Sequence, residues 1–417
     1  MRGGVVSPER QRQRGSQRTR RNVLRAGLVA LGVGLAGCSS SCPDSDPPDP
    51  NVTLRVGGSE TGTAATPLPE QTHDWSQYRF DAGHTGFGDG NTVPTADPRV
   101  AWRRGLTAAG ASDEASPPAL ADGTLYVGGD NGGLTAFEAT TGERRWTHDR
   151  VGTTVTPAVA GGSVYVHDAH GVVSLASDDG SVEWEMSLPL PTAAPTVHRD
   201  AVVASAKRGV VAFDRETGTR RWEATASTTE GPPAAFGSSV FVADETLAAY
   251  DLVDGTRRSL TVGGRRPGPP VATESTLYVG SYDGLRASAH DGDERWTYER
   301  QTGGFATPVV TDELVYAVEQ PPEGPSAVFA LDTDSGDPTP RWCSWLGEGV
   351  ARAATSDAVL VGTDDGRTLQ QFASRFGEVG WQLRAPGRIR PPAVGTDAVF
   401  VTTDRGQVVA LAEAADA

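Results

Sequence analysis

The sequence predicts an all-β chain: eight four-stranded antiparallel blades closed into a propeller. Three observations predict it. A strand–turn–strand–turn–strand sentence, best seen in Leu125–Trp146 (LYVGGDNGGLTAFEATTGERRW), returns along the chain. Tryptophans recur with it at positions 102, 146, 184, 222, 296, 342 and 381, mostly 37–39 residues apart. Most copies open with a proline before a short apolar run, as in Pro118-Ala119-Leu120 and Pro157-Ala158-Val159, and proline suits the first residue of a strand rather than its middle. Four short strands per period of about 40 residues is propeller spacing, because solenoid repeats of that length are helical.

The copies differ in ways that matter. VYVHDAHGVVSLASDDGSVEW (164–184) and VVASAKRGVVAFDRETGTRRW (202–222) follow the first closely. The fourth has Ala249, Asp251 and Gly255 but Ser259 where the tryptophan belongs, so the joint it makes is expected to be the weak one. The fifth is a residue short before Trp296, and the sixth carries an insertion, Glu319–Asp337. The seventh has Ala353-Ala354 in place of the proline opening. The eighth reaches Val408-Val409-Ala410-Leu411 without a tryptophan strand, whereas Arg99-Val100-Ala101-Trp102-Arg103 is a tryptophan strand without a repeat. Pairing the two completes an eighth blade and leaves no open sheet edge. Seven blades is the alternative, should the fourth or sixth repeat dissolve into loops.

The chain before the repeats divides into three. Residues 1–37 combine a basic start, Arg20-Arg21-Asn22-Val23-Leu24, an uncharged run Ala26–Ala36, and Leu35-Ala36-Gly37-Cys38. The run is too short to span a bilayer as a helix. This order resembles a twin-arginine export signal ending in a lipobox. The resemblance implies removal of residues 1–37, a lipid on Cys38, and a protein held on the external face of the cell membrane. Residues 38–72 are rich in Ser, Asp, Pro, Gly and Thr and read as a flexible tether. The tether contains a glycosylation sequon at Asn51. Residues 73–98 hold Asp74-Trp75-Ser76-Gln77-Tyr78-Arg79-Phe80-Asp81 and His84-Thr85-Gly86-Phe87, which look like the lead-in of quinoprotein-type propellers. Their aromatic residues are expected to plug one end of a propeller occupying 99–417.

The repeats carry a more specific resemblance. Ala136-Phe137-Glu138…Gly142…Trp146 and Ala212-Phe213-Asp214…Gly218…Trp222 are similar to the tryptophan-docking motif of eight-bladed quinoprotein (PQQ-repeat) propellers. The resemblance implies that each tryptophan wedges between adjacent blades, over the small residue and the glycine.

Composition narrows the partners. Net charge is −16, with Lys207 the sole lysine among 37 basic residues, and several arginines lie in the first 37 positions. Such a surface repels nucleic acid. The composition is similar to that of extreme halophiles, an ordinary acidic secreted protein being the alternative. Cys38, Cys42 and Cys343 lack zinc-ligand spacing. Cys343, beside Trp342 and near Trp345, reads as a small buried apolar residue, with a bridge to Cys42 the less favoured reading.

Candidate chemistry is sparse. His167-Asp168-Ala169-His170 falls on a hairpin turn, as do Asp130, Asn131, Asp283, Asp364, Asp365 and Asp404, and turn propensity explains them. There is no nucleophile elbow, phosphate loop or zinc-peptidase helix. The function expected is a monomeric, lipid-anchored scaffold that binds another cell-envelope protein without catalysis or cofactor, similar to the lipoprotein propellers of outer-membrane protein assembly. The alternative is a redox protein or dehydrogenase using PQQ with calcium, which the chain's lack of an adjacent Cys-Cys pair and of a recognisable calcium set disfavours. Rim loops, the 319–337 insertion first among them, are the expected binding surface.

Overall fold

The computed structural model describes residues 42, 52–54, 67–94, 98–106, 114–130, 133–149, 152–188, 191–226, 231–260, 262, 264–299, 303–333, 339–346, 349–363 and 366–413. The export and lipidation residues Arg20, Arg21 and Cys38, the sequon at Asn51, and Asn131, Asp364 and Asp365 lie outside the described residues.

The strands gather into eight sheets, and within each the order follows the chain except where Val52–Thr53 and Pro98–Gly105 join the edges of two late blades. Blade 1 occupies 119–148, blade 2 158–187, blade 3 196–225, blade 4 234–260, blade 5 271–298, blade 6 304–345, blade 7 349–384 and blade 8 393–413. The eighth takes its outermost strand from Pro98–Gly105, antiparallel to Gln407–Glu413, so the ring closes as the sequence predicts.

Burial explains the strand patterns. A blade is covered by a neighbour on each face, so its middle strands, such as Thr124–Gly129 and Ala201–Ala206, are buried at every position and read as continuous apolar runs. Outermost strands, such as Arg220–Thr225, are mostly exposed and bury chiefly their tryptophan. The core is a series of clusters, each shared by adjacent blades; one joins Val203, Ala212 and Trp222 of blade 3 to Val240, Ala248 and Tyr250 of blade 4.

The tryptophans set the joints. Trp222 Nε1 donates to Leu252 O of the next blade at 2.9 Å, and Trp102, Trp146, Trp184 and Trp342 donate likewise to Ala139, Ser177, Arg215 and Ser374. Trp296 is buried in the cluster that joins blades 5 and 6. The receiving turn needs glycine: Gly255 has φ +73°, and a Cβ there would lie 2.7 Å from the Trp222 ring. Trp381 has no such turn in blade 8 and donates to Pro94 O of the lead-in at 2.7 Å.

Blade 4 departs from the spacing argument. Every tryptophan strand has a register shift, a β-bulge, beside the tryptophan. The last strand of blade 4 has none, so Ala249 faces Arg258, not Ser259. Arg258 donates to His290 O at 2.9 Å, the carbonyl three residues after Ala287 that a docked tryptophan would use.

The cysteine expectation is corrected. Cys343 is not a lone buried thiol: it is disulfide-bonded to Cys42, with Cα atoms 5.4 Å apart. Trp345 Nε1 donates to Cys42 O, Val52–Thr53 pairs in parallel with Val379–Arg384, and Leu68 N donates to Thr140 O. The segment expected to be a free tether is therefore pinned at blades 6, 7 and 1. The 319–337 insertion is likewise not one rim loop. Glu319 and Gln320 end one strand, Ala327–Asp332 forms the next, and only 321–326 turns between them.

Candidate functional site: an arginine pocket over a plugged channel

The innermost strands line a central channel, and each leaves backbone groups facing inward that need partners. The lead-in supplies them. Leu120, Val159, Ala235, Ala272, Val310 and Ala354 are the equivalent N–H donors of blades 1, 2, 4, 5, 6 and 7. They donate to the carbonyls of Trp75, Ser76, Ala82, Gly83, Thr85 and Gly86 in order. In blade 3 the acceptor is a side chain, Gln77 Oε1, 2.9 Å from Val197 N. In blade 8 the polarity reverses, and Asn91 Nδ2 donates to Val394 O. Residues 75–91 thus visit all eight blades. The aromatic plug expected from sequence is present, with Trp75 only 1% exposed, but its hold is mostly backbone.

The plug is tightly constrained. Arg79, Phe80 and His84 all have positive φ, an uncommon state for residues with side chains. The Thr196 hydroxyl donates to Pro233 O, so its oxygen accepts from His84 Nε2. Burial lowers the His84 pKa to about 3, and the positive charge of Arg79 pushes the same way, so the ring stays neutral. Asp81 accepts from the Thr85 N–H and hydroxyl; burial nonetheless raises its pKa.

The plug lies toward the end where the first two strands of each blade turn. Asp74 there accepts from Asp122 N, and Thr92 and Asp397 bond each other. The other end is open. A cavity of about 720 Å³ lies there, floored by Tyr78 and Arg79 of the plug and walled by the connectors into blades 5 to 8 and the hairpins of blades 5 and 6. Pro321 and Pro322, from the shortened insertion loop, form part of the wall.

Its lining is unlike the rest of this acidic chain. Arg79, Arg266 and Arg352 line it, and among the described residues no Asp, Glu or Asn does. Arg79 donates to Thr307 O and Pro308 O, while its buried Nε has no partner. Arg352 sits at a bulge in Gly349–Ala354, between Ala351 and Ala353, which aims it out of the ladder. Gly362 leaves it room: a Cβ there would lie 3.0 Å from Arg352 Nε. Burial lowers the pKa of both arginines; Tyr78 opposes this in both, and Arg79 adds repulsion at Arg352. No carboxylate among the described residues forms an ion pair with either.

The residues flagged in the turns are structural. Asp168 Oδ1 accepts from His170 N and Gly171 N. Asp130, Asp283 and Asp404 accept from Glu114 N, Arg265 N and Arg388 N, tying each hairpin to the connector entering its own blade. Among the described residues, no three His, Cys, Asp or Glu side chains gather as a metal site. Sequence reasoning passed over the arginines of the pocket. One signal was visible: Arg352 stands where other repeats have the opening proline.

Fold and docking geometry define an eight-bladed propeller of the tryptophan-docked class. A family model described as PQQ_2, Outer membrane protein assembly factor BamB, matches residues 83–261 and 257–342. The chain belongs to that family. No curated protein matches the sequence. Among solved structures, BamB from Moraxella catarrhalis is similar at TM-score 0.61 and 15% identity, over 77% of this chain and 99% of that one. Quinohemoprotein alcohol dehydrogenase from Comamonas testosteroni aligns at TM-score 0.62 and 14% identity, over 83% of this chain and 82% of that one. A europium-containing methanol dehydrogenase aligns at 0.63 and 13%, over 82% and 98%. At these identities the likeness is one of fold.

Proposed function

We propose that the chain is an extracytoplasmic lipoprotein, anchored through Cys38 and exported by way of Arg20 and Arg21, that binds another cell-envelope protein without catalysing a reaction. One observation carries the reading: the ring is polar, stopped by its own lead-in toward one end and open at the other. A rigid ring of that kind presents one face of hairpins and connectors for binding. Membership of the assembly-factor family supports a scaffold role, and a halophilic host fits the acidic, lysine-poor composition.

The test is site-specific photo-crosslinking in cells. A probe at Tyr282, 65% exposed on the open face, should trap an envelope protein, and one at Val253, 72% exposed at a far turn, should not. Equal trapping at both positions would remove the polarity argument. Cys38→Ser should move the protein from the membrane to the soluble fraction; retention after alkaline washing would count against the anchor.

The arginine pocket favours a second reading, a quinone-binding redox protein like the dehydrogenases of the same fold. The donors fit half of that requirement. Arg79, Arg266 and Arg352 suit an anionic group, whereas the described residues of the lining offer no carboxylate or Asn to a calcium ion. Titration of the full chain with PQQ, with and without calcium, separates the two: saturable, calcium-dependent binding would replace the scaffold reading.

A further inference from the structure

We propose that the pocket at the open end of the channel binds a small organic carboxylate with an apolar body. Arginine cannot relieve burial by losing its proton, so a buried guanidinium without a counter-charge is costly until an anion arrives. Arg79, 6% exposed, and the partly buried Arg352 share one cavity, and neither forms an ion pair with a carboxylate among the described residues. Arg79 is held by two carbonyls, which fixes its plane, and its one carboxylate influence is Asp81, which acts without an ion-pair contact. Arg352 is aimed inward by a bulge and housed over Gly362. Both are positioned by backbone devices, so the cationic floor is built before any ligand enters. Arg266 stands exposed beside them.

The remaining walls decide the rest of the ligand. Phe305, Tyr78 and Tyr282 supply aromatic surface, and the prolines and glycines of the connectors supply apolar and backbone surface. A cavity of about 720 Å³ holds a ligand larger than a bare inorganic anion. A carboxylate accepts two parallel N–H bonds from a guanidinium, while an apolar body covers the aromatic wall. The same chemistry is offered by a free small molecule or by the C-terminal carboxylate of a peptide.

The experiment is calorimetric titration of the full chain in detergent. The probes are 2-naphthoate, its neutral amide, sulfate, and a tripeptide ending in Phe as the free acid or the amide. Naphthoate should bind saturably and displace sulfate, and the neutral amide should not bind. Arg352→Gln should weaken naphthoate by about ten-fold or more, the range for a charged hydrogen bond, and Arg352→Lys should recover part of it. Binding of the peptide acid but not its amide, with the same dependence on Arg352, assigns the site to chain termini; binding of naphthoate alone assigns it to free carboxylates. Arg266→Gln, a change on an exposed loop, guards against a variant that fails to fold. The proposal is overturned if no carboxylate binds, if sulfate binds as well as naphthoate, or if the Arg352 and Arg266 variants bind naphthoate like the parent.

Discussion

The joint between blades 3 and 4 and the joint between blades 4 and 5 solve one packing problem with opposite chemistry. In the first, Trp222 is 7% exposed, lies over Gly255, stacks on Tyr250 at 6.0 Å, and donates to Leu252 O. In the second, the exposed Arg258 reaches His290 O, and the His290 ring fills the interior against Phe241 at 5.1 Å and Phe236 at 5.7 Å. The hydrogen bond survives the exchange; the buried indole does not. Both sides of the second joint differ from the other repeats: the missing tryptophan of blade 4 and the shortened turn of blade 5 are two faces of one contact. An interface of this fold tolerates a wet, charged fastening once a neighbouring ring takes over the volume.

The largest expected effect is at the dry joint. Trp222→Ala should cost about 3–5 kcal/mol in chemical denaturation, the range for truncating a buried aromatic; a loss below about 1 kcal/mol would show that the indole does not hold the blades. Gly255→Ala attacks the same joint from the other side, through a positive φ and a Cβ placed 2.7 Å from the indole. It should cost about 1–3 kcal/mol. At the wet joint, Arg258→Ala should cost about 1 kcal/mol, the worth of one hydrogen bond at an exposed site. Equal losses for Arg258→Ala and Trp222→Ala would erase the distinction between the joints.

Acid sharpens the comparison. Burial lowers the His290 pKa below 6.5, with Arg295 and Arg258 pushing the same way, Thr273 O opposing, and Asp291 opposing. A histidine depressed in the folded state loses stability as pH falls below 6.5, where the unfolded chain takes up the proton first. The wet joint should therefore loosen on acidification, seen as faster amide exchange across its strand Arg257–Leu260 than across the matching strand of the dry joint, Arg220–Thr225. Arg258→Ala should raise the His290 pKa in an NMR titration; an unchanged value would mean that the guanidinium does not sit against the ring.

Much of this architecture is legible in the sequence because it depends on side-chain identity. Trp102, Trp146, Trp184 and Trp222 mark the joints, and the unmatched strand at 99–103 foretells the closure. The rest rests on geometry that spacing does not record. Counting from Gly255 lands on Ser259, but without a bulge the docking place falls on Arg258. The lead-in grips the inner strands mostly through main-chain carbonyls, which any residue could supply, so its path around the channel leaves little trace in composition. Cys42 and Cys343 are 301 residues apart, and no local pattern links them. Arg352 was visible only as a missing proline, and a missing proline reads as loss rather than gain.

The closing strand has a consequence for synthesis. Residues 98–105 leave the ribosome long before 407–413, the strand they must pair with. Until then blades 1 to 7 can form while the circle stays open, with one face of blade 1 and one of the newest blade both lacking a neighbour. A nascent or prematurely ended chain therefore presents bare sheet faces, and a finished one does not. Closure is a built-in certificate of completeness, since only the closed ring leaves no blade face bare.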